Sequence, residues 1–265
     1  MKFQWLLILL TFIAGCADSY TEQTSEPDTL VLKVAAAANL QYAMTEIEKI
    51  FEENQPDISL EISYGSSGNF FSQLSQLAPY DIFFSADTKY PRKLVEQGFI
   101  AETDYFPYAS GQIVLWVPEG SPLDLKTSGI QILLDPAVKK IAIANPRLAP
   151  YGLAAVEAMQ HFQLYDQIKD KLVLGENISQ TAHFIESKAA DVGVLAFSLV
   201  RVPERNDRGQ YWKIPTDTYS QIIQAGGILK TSPHPAAARH FREFVLGPNG
   251  QEILTRFGYS IPEAN

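Results

Sequence analysis

Four short loops of the sequence combine small, hydroxyl and amide side chains at points where a strand-like run gives way to a helical one. A helix start presents backbone N–H groups that have no partner within the helix, together with the positive end of the helix dipole, so it can bind an anion. Glycine lets the backbone approach a ligand closely, and serine or asparagine adds uncharged donors. Each loop alone is also what an ordinary helix cap requires, and that alternative stays open. The loops are AAAANL at 35–40, YGSSGN at 64–69, NPRLAPYGL at 145–153 and GENISQ at 175–180.

The second loop, within SYGSSGNFF at 63–71, is close to two well-known motifs and matches neither. A phosphate-binding P-loop needs Lys and then Ser or Thr after its last glycine, whereas Asn69 and Phe70 follow Gly68. The G-x-S-x-G nucleophile elbow fails because the second glycine comes one position early. A secreted serine hydrolase stays as an alternative, but it would need a histidine partner. The histidines lie in or beside helical stretches typical of a surface, at His161, His183, His234 and His240.

The charge balance argues against a polyanionic partner. The 265 residues carry 30 acidic and 21 basic side chains, a formal net charge of -9, without a basic cluster. Nucleic acid and anionic membrane surfaces are therefore poor partners for the body of the protein. The histidines form no paired ligand motif, so neither a bare metal ion nor a cofactor is expected.

The N-terminus has the layout of an export signal. Lys2 is followed by an apolar run from Trp5 to Ala14 that is too short to span a bilayer comfortably, which predicts a signal peptide over 1–15. The ending IAGC resembles the lipobox of bacterial lipoproteins, which implies lipid attachment at Cys16, the only cysteine. A signal peptide cut nearby, without lipidation, is the alternative. The polar residues 16–29 are expected to form a tether between membrane and fold.

From Leu30 onward, strand-like and helix-like runs alternate, which predicts an α/β protein whose mostly parallel sheets are flanked by helices. YSQIIQAGGILK is typical of a strand, a turn and a second strand, and the tail predicts two helices separated by GPNG. The chain is long enough for two lobes, and the pattern of strand-like and helix-like runs changes near residues 109 and 218. We therefore predict two hinge crossings, with lobe 1 formed by 30–109 plus 219–265 and lobe 2 by 110–218.

Taken in order, six segments resemble the periplasmic molybdate-binding proteins that supply ABC transporters. They are AAAANLQYAM, YGSSGNFFSQL, YDIFFSAD, IAIANPRLAPYGLAA, GENISQTAHFIESKAADVGVLAFS and ILTRFGYSI, and they span about residues 30–262. The resemblance implies a two-lobed type II periplasmic-binding-protein fold that holds molybdate, and also tungstate, between its lobes without catalysis. It further implies a monomer outside the cytoplasm, in the periplasm or on the outer face of the membrane, that delivers the anion to permease subunits.

The resemblance also implies which residues surround the anion. Tyr151 and Ile178 would act through their backbone amides, which explains how an isoleucine can be a ligand residue. The main set is Asn39, Ser67, Tyr151 and Ile178, with Ala38 and Ser66 as secondary contributors.

One position departs from the pattern of the family. Some members place a tyrosine hydroxyl on the anion from the strand that follows the last loop, but VGVLAFS has Ala196 there. The shell would then depend on the four loops, or on the side-chain amide of Asn39. A binding protein for another oxyanion or for a small organic acid stays open as an alternative ligand class.

Overall fold

The computed structural model describes residues 29–202 and 208–262. The predicted signal peptide, Cys16 and nearly all of the predicted tether lie outside the described residues. In the part that is described, no helix is both long and apolar enough to cross a bilayer.

Ten strands, ten α-helices and four short 3-10 helices are described within residues 29–202 and 208–262. The strands are β1 (Leu30–Ala37), β2 (Ile58–Gly65), β3 (Ile82–Phe84), β4 (Ile100–Gly111), β5 (Ile113–Pro118), β6 (Ile141–Ala144), β7 (Leu172–Gly175), β8 (Val192–Ala196), β9 (Gly209–Lys213) and β10 (Ile222–Leu229). The helices are α1 (Gln41–Asn54), α2 (Ser67–Leu74), α3 (Lys89–Glu96), α4 (Leu125–Ser128), α5 (Pro150–His161), α6 (Tyr165–Ile168), α7 (Ile178–Glu186), α8 (Phe197–Val200), α9 (Pro235–Leu246) and α10 (Pro248–Arg256).

The strands form two five-stranded sheets, one in each lobe, which confirms the predicted two-lobed fold. Their orders are β2-β1-β3-β10-β4 and β7-β6-β8-β5-β9. Strand β10 is antiparallel to both of its neighbours in the first sheet, and β5 is antiparallel to both of its neighbours in the second. The other four strands of each sheet therefore run in one direction, so the carboxyl ends of β1, β2, β6 and β7 each lead into a helix at the cleft.

Helices cover both faces of the first sheet because its central strands are apolar on both sides. Helix α1 buries Met44, Ile47 and Phe51, spaced three or four residues apart, against one face. On the opposite face, α2 and α3 contribute Phe70 and Leu94 to a separate cluster. The two clusters pack against β1 from both faces, which positions the loop that follows it.

The segment YSQIIQAGGILK forms one continuous strand, so the predicted turn is wrong. Gly226 and Gly227 lie inside β10, where a Cβ on Gly226 would come within 2.7 Å of the Phe106 ring and one on Gly227 within 2.5 Å of Ile100. The glycines therefore make room for side chains of the neighbouring strand instead of bending the chain. Strand β4, which the prediction omits, contains Pro107; β4 is an edge strand with a register shift, where proline is tolerated.

The chain passes from the first sheet to the second at Gln112, between β4 and β5, and returns between Lys213 and Ile222. The predicted limits of the lobes stay a prediction.

Candidate anion-binding site

The four loops singled out in the sequence converge on one small cavity between the lobes. The space in which the centre of a water-sized sphere fits is only about 10 Å³, so the loops lie close together. Two loops come from the first lobe and two from the second, so neither lobe alone encloses the cavity. It is lined by Ala37, Ala38, Asn39, Gly65, Ser66, Ser67, Ala86, Ala149, Pro150, Tyr151, Asn177 and Ile178.

At the start of α2, Ser67 faces the cavity, whereas the hydrogen-bonding groups of Ser66 and Gly68 have partners within the protein. The Ser66 hydroxyl accepts the N–H of Asn69 at 3.3 Å, and the N–H of Gly68 donates to the Leu148 carbonyl of the other lobe at 2.9 Å. No acceptor within the described residues takes the N–H of Ser67. The Ser67 Oγ accepts the N–H of Ala86 at 2.9 Å, which leaves its own proton free to be donated. Ser67 therefore presents two donors, one from the backbone and one from the side chain.

The start of α7 shows the same selective capping. Asn177 is the N-cap, and its Oδ1 accepts the N–H groups of Ser179 and Gln180, both at 3.0 Å. The N–H of Ile178, the first residue of the helix, has no acceptor in the described part of the chain. The Ile178 side chain is buried in the second lobe's core, so this residue would contribute through its backbone alone.

The start of α5 isolates the N–H of Tyr151. Pro150 occupies the first helical position and has no N–H, while Gly152 donates to the Ala149 carbonyl at 2.9 Å. No described acceptor takes the Tyr151 N–H. A Cβ on Gly152 would lie 2.0 Å from the Ala144 oxygen, so glycine is required for α5 to begin this close to β6.

In the first loop, the Asn39 side chain is committed to protein contacts. Its Nδ2 donates to Gln224 Oε1 at 2.9 Å and to the Tyr259 hydroxyl at 2.8 Å, which uses both of its hydrogens. The backbone of Ala38 and Asn39 forms the first turn of a short 3-10 helix at the cavity wall. Any contribution of Asn39 to an anion would thus come from its backbone N–H rather than from its amide.

The cavity contains no charge of its own. None of the twelve described lining residues is charged, and Arg147 and Glu176 are exposed at its edges. Helices α2, α5 and α7 direct their N-termini toward the cavity, so its potential is positive through backbone dipoles. Burial raises the pKa of the Tyr151 hydroxyl well above its ordinary value, so this group is neutral at physiological pH.

The lobes contact each other around the cavity, and most of its lining residues are buried. At the edge, Asn69 Nδ2 donates to Glu176 Oε1 at 2.6 Å, and the Ser179 hydroxyl donates to the Ala38 carbonyl at 3.1 Å. A Cβ on Gly68 would lie 3.0 Å from the backbone of Leu148, so glycine permits this approach.

Three residues beside the cavity are missing from the sequence-based site: Ala86, Gln224 and Tyr259. Gln224 is fully buried within an otherwise apolar strand, and a polar residue in such a run was the one available signal. Nothing in the sequence marks Ala86 or Tyr259, because their role depends on contacts with residues far along the chain. Ala196 is fully buried at the end of β8 and does not line the cavity.

The residues needed for a serine hydrolase are not brought together. None of the four histidines lines the cavity, and no described hydrogen bond joins one of them to Ser66 or Ser67. Two of them have ring contacts elsewhere, His161 with Phe162 and His240 with Phe51.

Comparison with known proteins gives a consistent result. Residues 32–260 match the family described as "Bacterial extracellular solute-binding protein". The chain is 37% identical over 225 residues to the molybdate-binding protein ModA of Rhodobacter capsulatus, covering 85% of this chain and 86% of that protein. It is 31% identical to YvgL of Bacillus subtilis, described as a candidate substrate-binding lipoprotein of an ABC transporter, over 98% of both chains.

Among solved structures, the periplasmic molybdate-binding protein of Azotobacter vinelandii superposes with a TM-score of 0.82 and 33% identity, covering 88% of this chain and all of that one. The resemblance noted from the motifs is confirmed. The chain belongs to the bacterial extracellular solute-binding protein family.

Proposed function

We propose that this protein captures molybdate in the cavity between its lobes and delivers it to the permease of an ABC transporter. The observation that carries the proposal is a set of N–H groups that have no acceptor among residues 29–202 and 208–262, at Ser67, Tyr151 and Ile178, all lining one uncharged cavity. The relatives described above, two of which are called molybdate-binding proteins, support the same ligand.

A shell made only of donors suits a fully deprotonated dianion. Molybdate carries no proton near neutral pH, so it needs no acceptor, whereas a monoprotonated phosphate would favour a carboxylate in the site. The side-chain oxygen of Asn177 is already occupied by two N–H groups of α7. Each hydrogen bond to a charged group contributes about 1.5 to 3 kcal/mol, so several in a dry cavity can hold the ion without a counter-cation.

The same donors would accept tungstate, which has the same charge and shape. Sulfate offers the same acceptors, so discrimination against it would depend on the size of the cavity. Four alanines, at 37, 38, 86 and 149, form much of its wall and set that size. Another oxyanion of matching size is the second candidate ligand, since the donor geometry alone does not distinguish among tetrahedral dianions.

The protein would bind its ligand and release it unchanged. No group in the described cavity wall has the chemistry of a general base or acid at neutral pH. Delivery would take place outside the cytoplasm, with the chain held at the membrane by a lipid on Cys16. The match to YvgL, which extends over 98% of the chain and is described as a lipoprotein, supports the anchor.

Calorimetric titration of the purified protein with sodium molybdate tests the proposal. Tungstate, sulfate and phosphate are titrated in parallel under the same conditions. We expect tight one-to-one binding of molybdate and tungstate and much weaker heats with the other two. Absence of heat with molybdate would overturn the proposal, and preferential binding of sulfate would mean that the natural ligand is sulfate and not molybdate.

A further inference from the structure

The Tyr151 side chain begins at the cavity wall on the second lobe and ends in a buried hydrogen-bond network on the first. Its hydroxyl oxygen accepts Gln224 Nε2 at 2.9 Å, and Asn39 Nδ2 lies 3.4 Å away. Gln224 is in turn held within the first lobe, because its Oε1 accepts from Asn39 Nδ2 at 2.9 Å. The Tyr108 hydroxyl lies 3.0 Å from the same oxygen and 2.8 Å from the Ser85 carbonyl, so its single proton is shared between these two acceptors. The Tyr151 phenol is therefore held by the Gln224 side-chain amide, whose orientation is set by its contacts within the first lobe.

Space for this contact is provided at the chain crossing between the lobes. Gly111 ends β4 immediately before the chain enters the second sheet. A Cβ on Gly111 would lie 2.1 Å from the Tyr151 hydroxyl and 2.8 Å from Gln224 Nε2. Any larger residue would occupy the place where the two groups meet.

The two ends of Tyr151 serve different partners. Its backbone N–H is one of the unpaired donors of the cavity, and its phenol is docked on the opposite lobe. Both ends are buried, since the residue as a whole is 2% exposed. Fixing the phenol therefore fixes the start of α5, and with it the direction of the Tyr151 N–H.

We propose that the Tyr151–Gln224 hydrogen bond is an interlobe latch that positions the Tyr151 N–H for the anion and stabilises the closed, ligand-bound arrangement. This inference rests on the proposed function. Gln224 is a positioning residue, because it acts on the ligand through Tyr151 and does not line the cavity. The latch contributes mainly to the lifetime of the closed complex and little to the encounter with the ligand.

The test uses the full folded chain with Tyr151→Phe, Gln224→Met and the double variant, each titrated with sodium molybdate. Tyr151→Phe removes only the hydroxyl and keeps the backbone N–H. We expect each single variant to raise Kd by about tenfold through a faster dissociation rate, with the association rate unchanged. The double variant should lose no more than Gln224→Met alone, because Gln224→Met already removes the bond to Tyr151 together with the bonds to Asn39 and Tyr108.

Tyr90→Phe is the matched control. The Tyr90 hydroxyl also donates across the lobes, to the Arg147 carbonyl at 3.2 Å, but at the exposed edge where water can replace it. Its Kd should change by less than about twofold. Thermal melting of each ligand-free variant shows whether it is folded, and Gly111→Ala gives a second way to displace the phenol without altering either partner.

The outcomes separate the two proposals. Heat from the wild type together with unchanged Kd and dissociation rate in Tyr151→Phe and Gln224→Met overturns the latch and leaves the proposed function standing. Additive losses in the double variant also overturn the latch, since the two groups would then act independently. No heat from the wild type overturns the proposed function and the latch together.

Discussion

Replacement of Ser67 by alanine is the most direct perturbation of the proposed anion shell. The Ser67 hydroxyl accepts the Ala86 N–H at 2.9 Å, so its proton is available to the ligand. Ser67→Ala removes that donor but keeps the backbone N–H at the start of α2. A hydrogen bond to a charged group is worth about 1.5 to 3 kcal/mol, which corresponds to a roughly 10- to 150-fold higher Kd for molybdate.

Ser72→Ala serves as the matched control for this change. Ser72 lies in the same helix, and its hydroxyl donates to the Gly68 carbonyl at 3.1 Å, away from the cavity. Its Kd should stay within about twofold of the wild-type value, since the bond is partly exposed. Ser198 is unsuitable as a control, because its hydroxyl donates to the Asn39 carbonyl at 3.0 Å across the lobes.

Both variants would be measured by calorimetry at equal protein concentration, after thermal melting has established that they are folded. The ligand-free Ser67→Ala protein should also melt at a lower temperature, because the buried Ala86 N–H loses its acceptor. Equal molybdate affinities for Ser67→Ala and Ser72→Ala would refute the reasoning, since they would show that the Ser67 hydroxyl does not face the ligand.

Three further predictions follow from the glycines and the buried phenols. Gly68→Ala places a Cβ 3.0 Å from Leu148 and should weaken molybdate binding by about fivefold or more, with little change in ligand-free stability; an unchanged Kd in calorimetry would contradict the closure contact. Gly152→Ala places a Cβ 2.0 Å from the Ala144 oxygen and should lower the free energy of unfolding by roughly 3 kcal/mol in urea, whereas a loss below about 0.5 kcal/mol would mean that α5 can shift freely. Burial raises the pKa of Tyr151, so as pH rises this phenol ionises first in the unfolded chain. The free energy of unfolding should therefore be fully present below about pH 10 and fall above it. A constant free energy of unfolding in urea from about pH 8 to 11.5 would contradict this.

Much of the fold was accessible from the sequence because its signals are local. The strands that lead into the four loops are rich in apolar residues, and small, polar or proline residues stand at or just before the start of the helices that follow. Both features come from residues adjacent in the chain, so periodicity and capping rules detect them. The directions of the strands then bring the loops to one edge of each sheet, as the alternating pattern predicts.

The errors arise where a residue's role depends on distant contacts. Gly226 and Gly227 are normal turn residues by local rules, and only the Phe106 and Ile100 side chains across the sheet explain them as part of a straight strand. Strand β4 was not predicted because it contains Pro107, and proline is compatible only with an edge strand; the sequence alone does not show which strands lie at an edge.

The candidate site shows the same division. The motifs predict which loops line a cavity, whereas the partners of each polar group within them depend on the tertiary fold. The Asn39 amide could equally have faced a ligand, and Gln224, 185 residues further along the chain, is what engages it. Some family members have a tyrosine where this chain has Ala196, and no described side chain of β8 lines the cavity in its place.

Crystals of the protein grown with sodium tungstate or molybdate would test the central claim most directly, because both metals give a strong anomalous signal. The account predicts a single anomalous peak in the cavity, with oxygens about 2.7 to 3.2 Å from the backbone nitrogens of Ser67, Tyr151 and Ile178 and from the Ser67 hydroxyl. A peak elsewhere on the chain, or no peak at saturating anion, would contradict it.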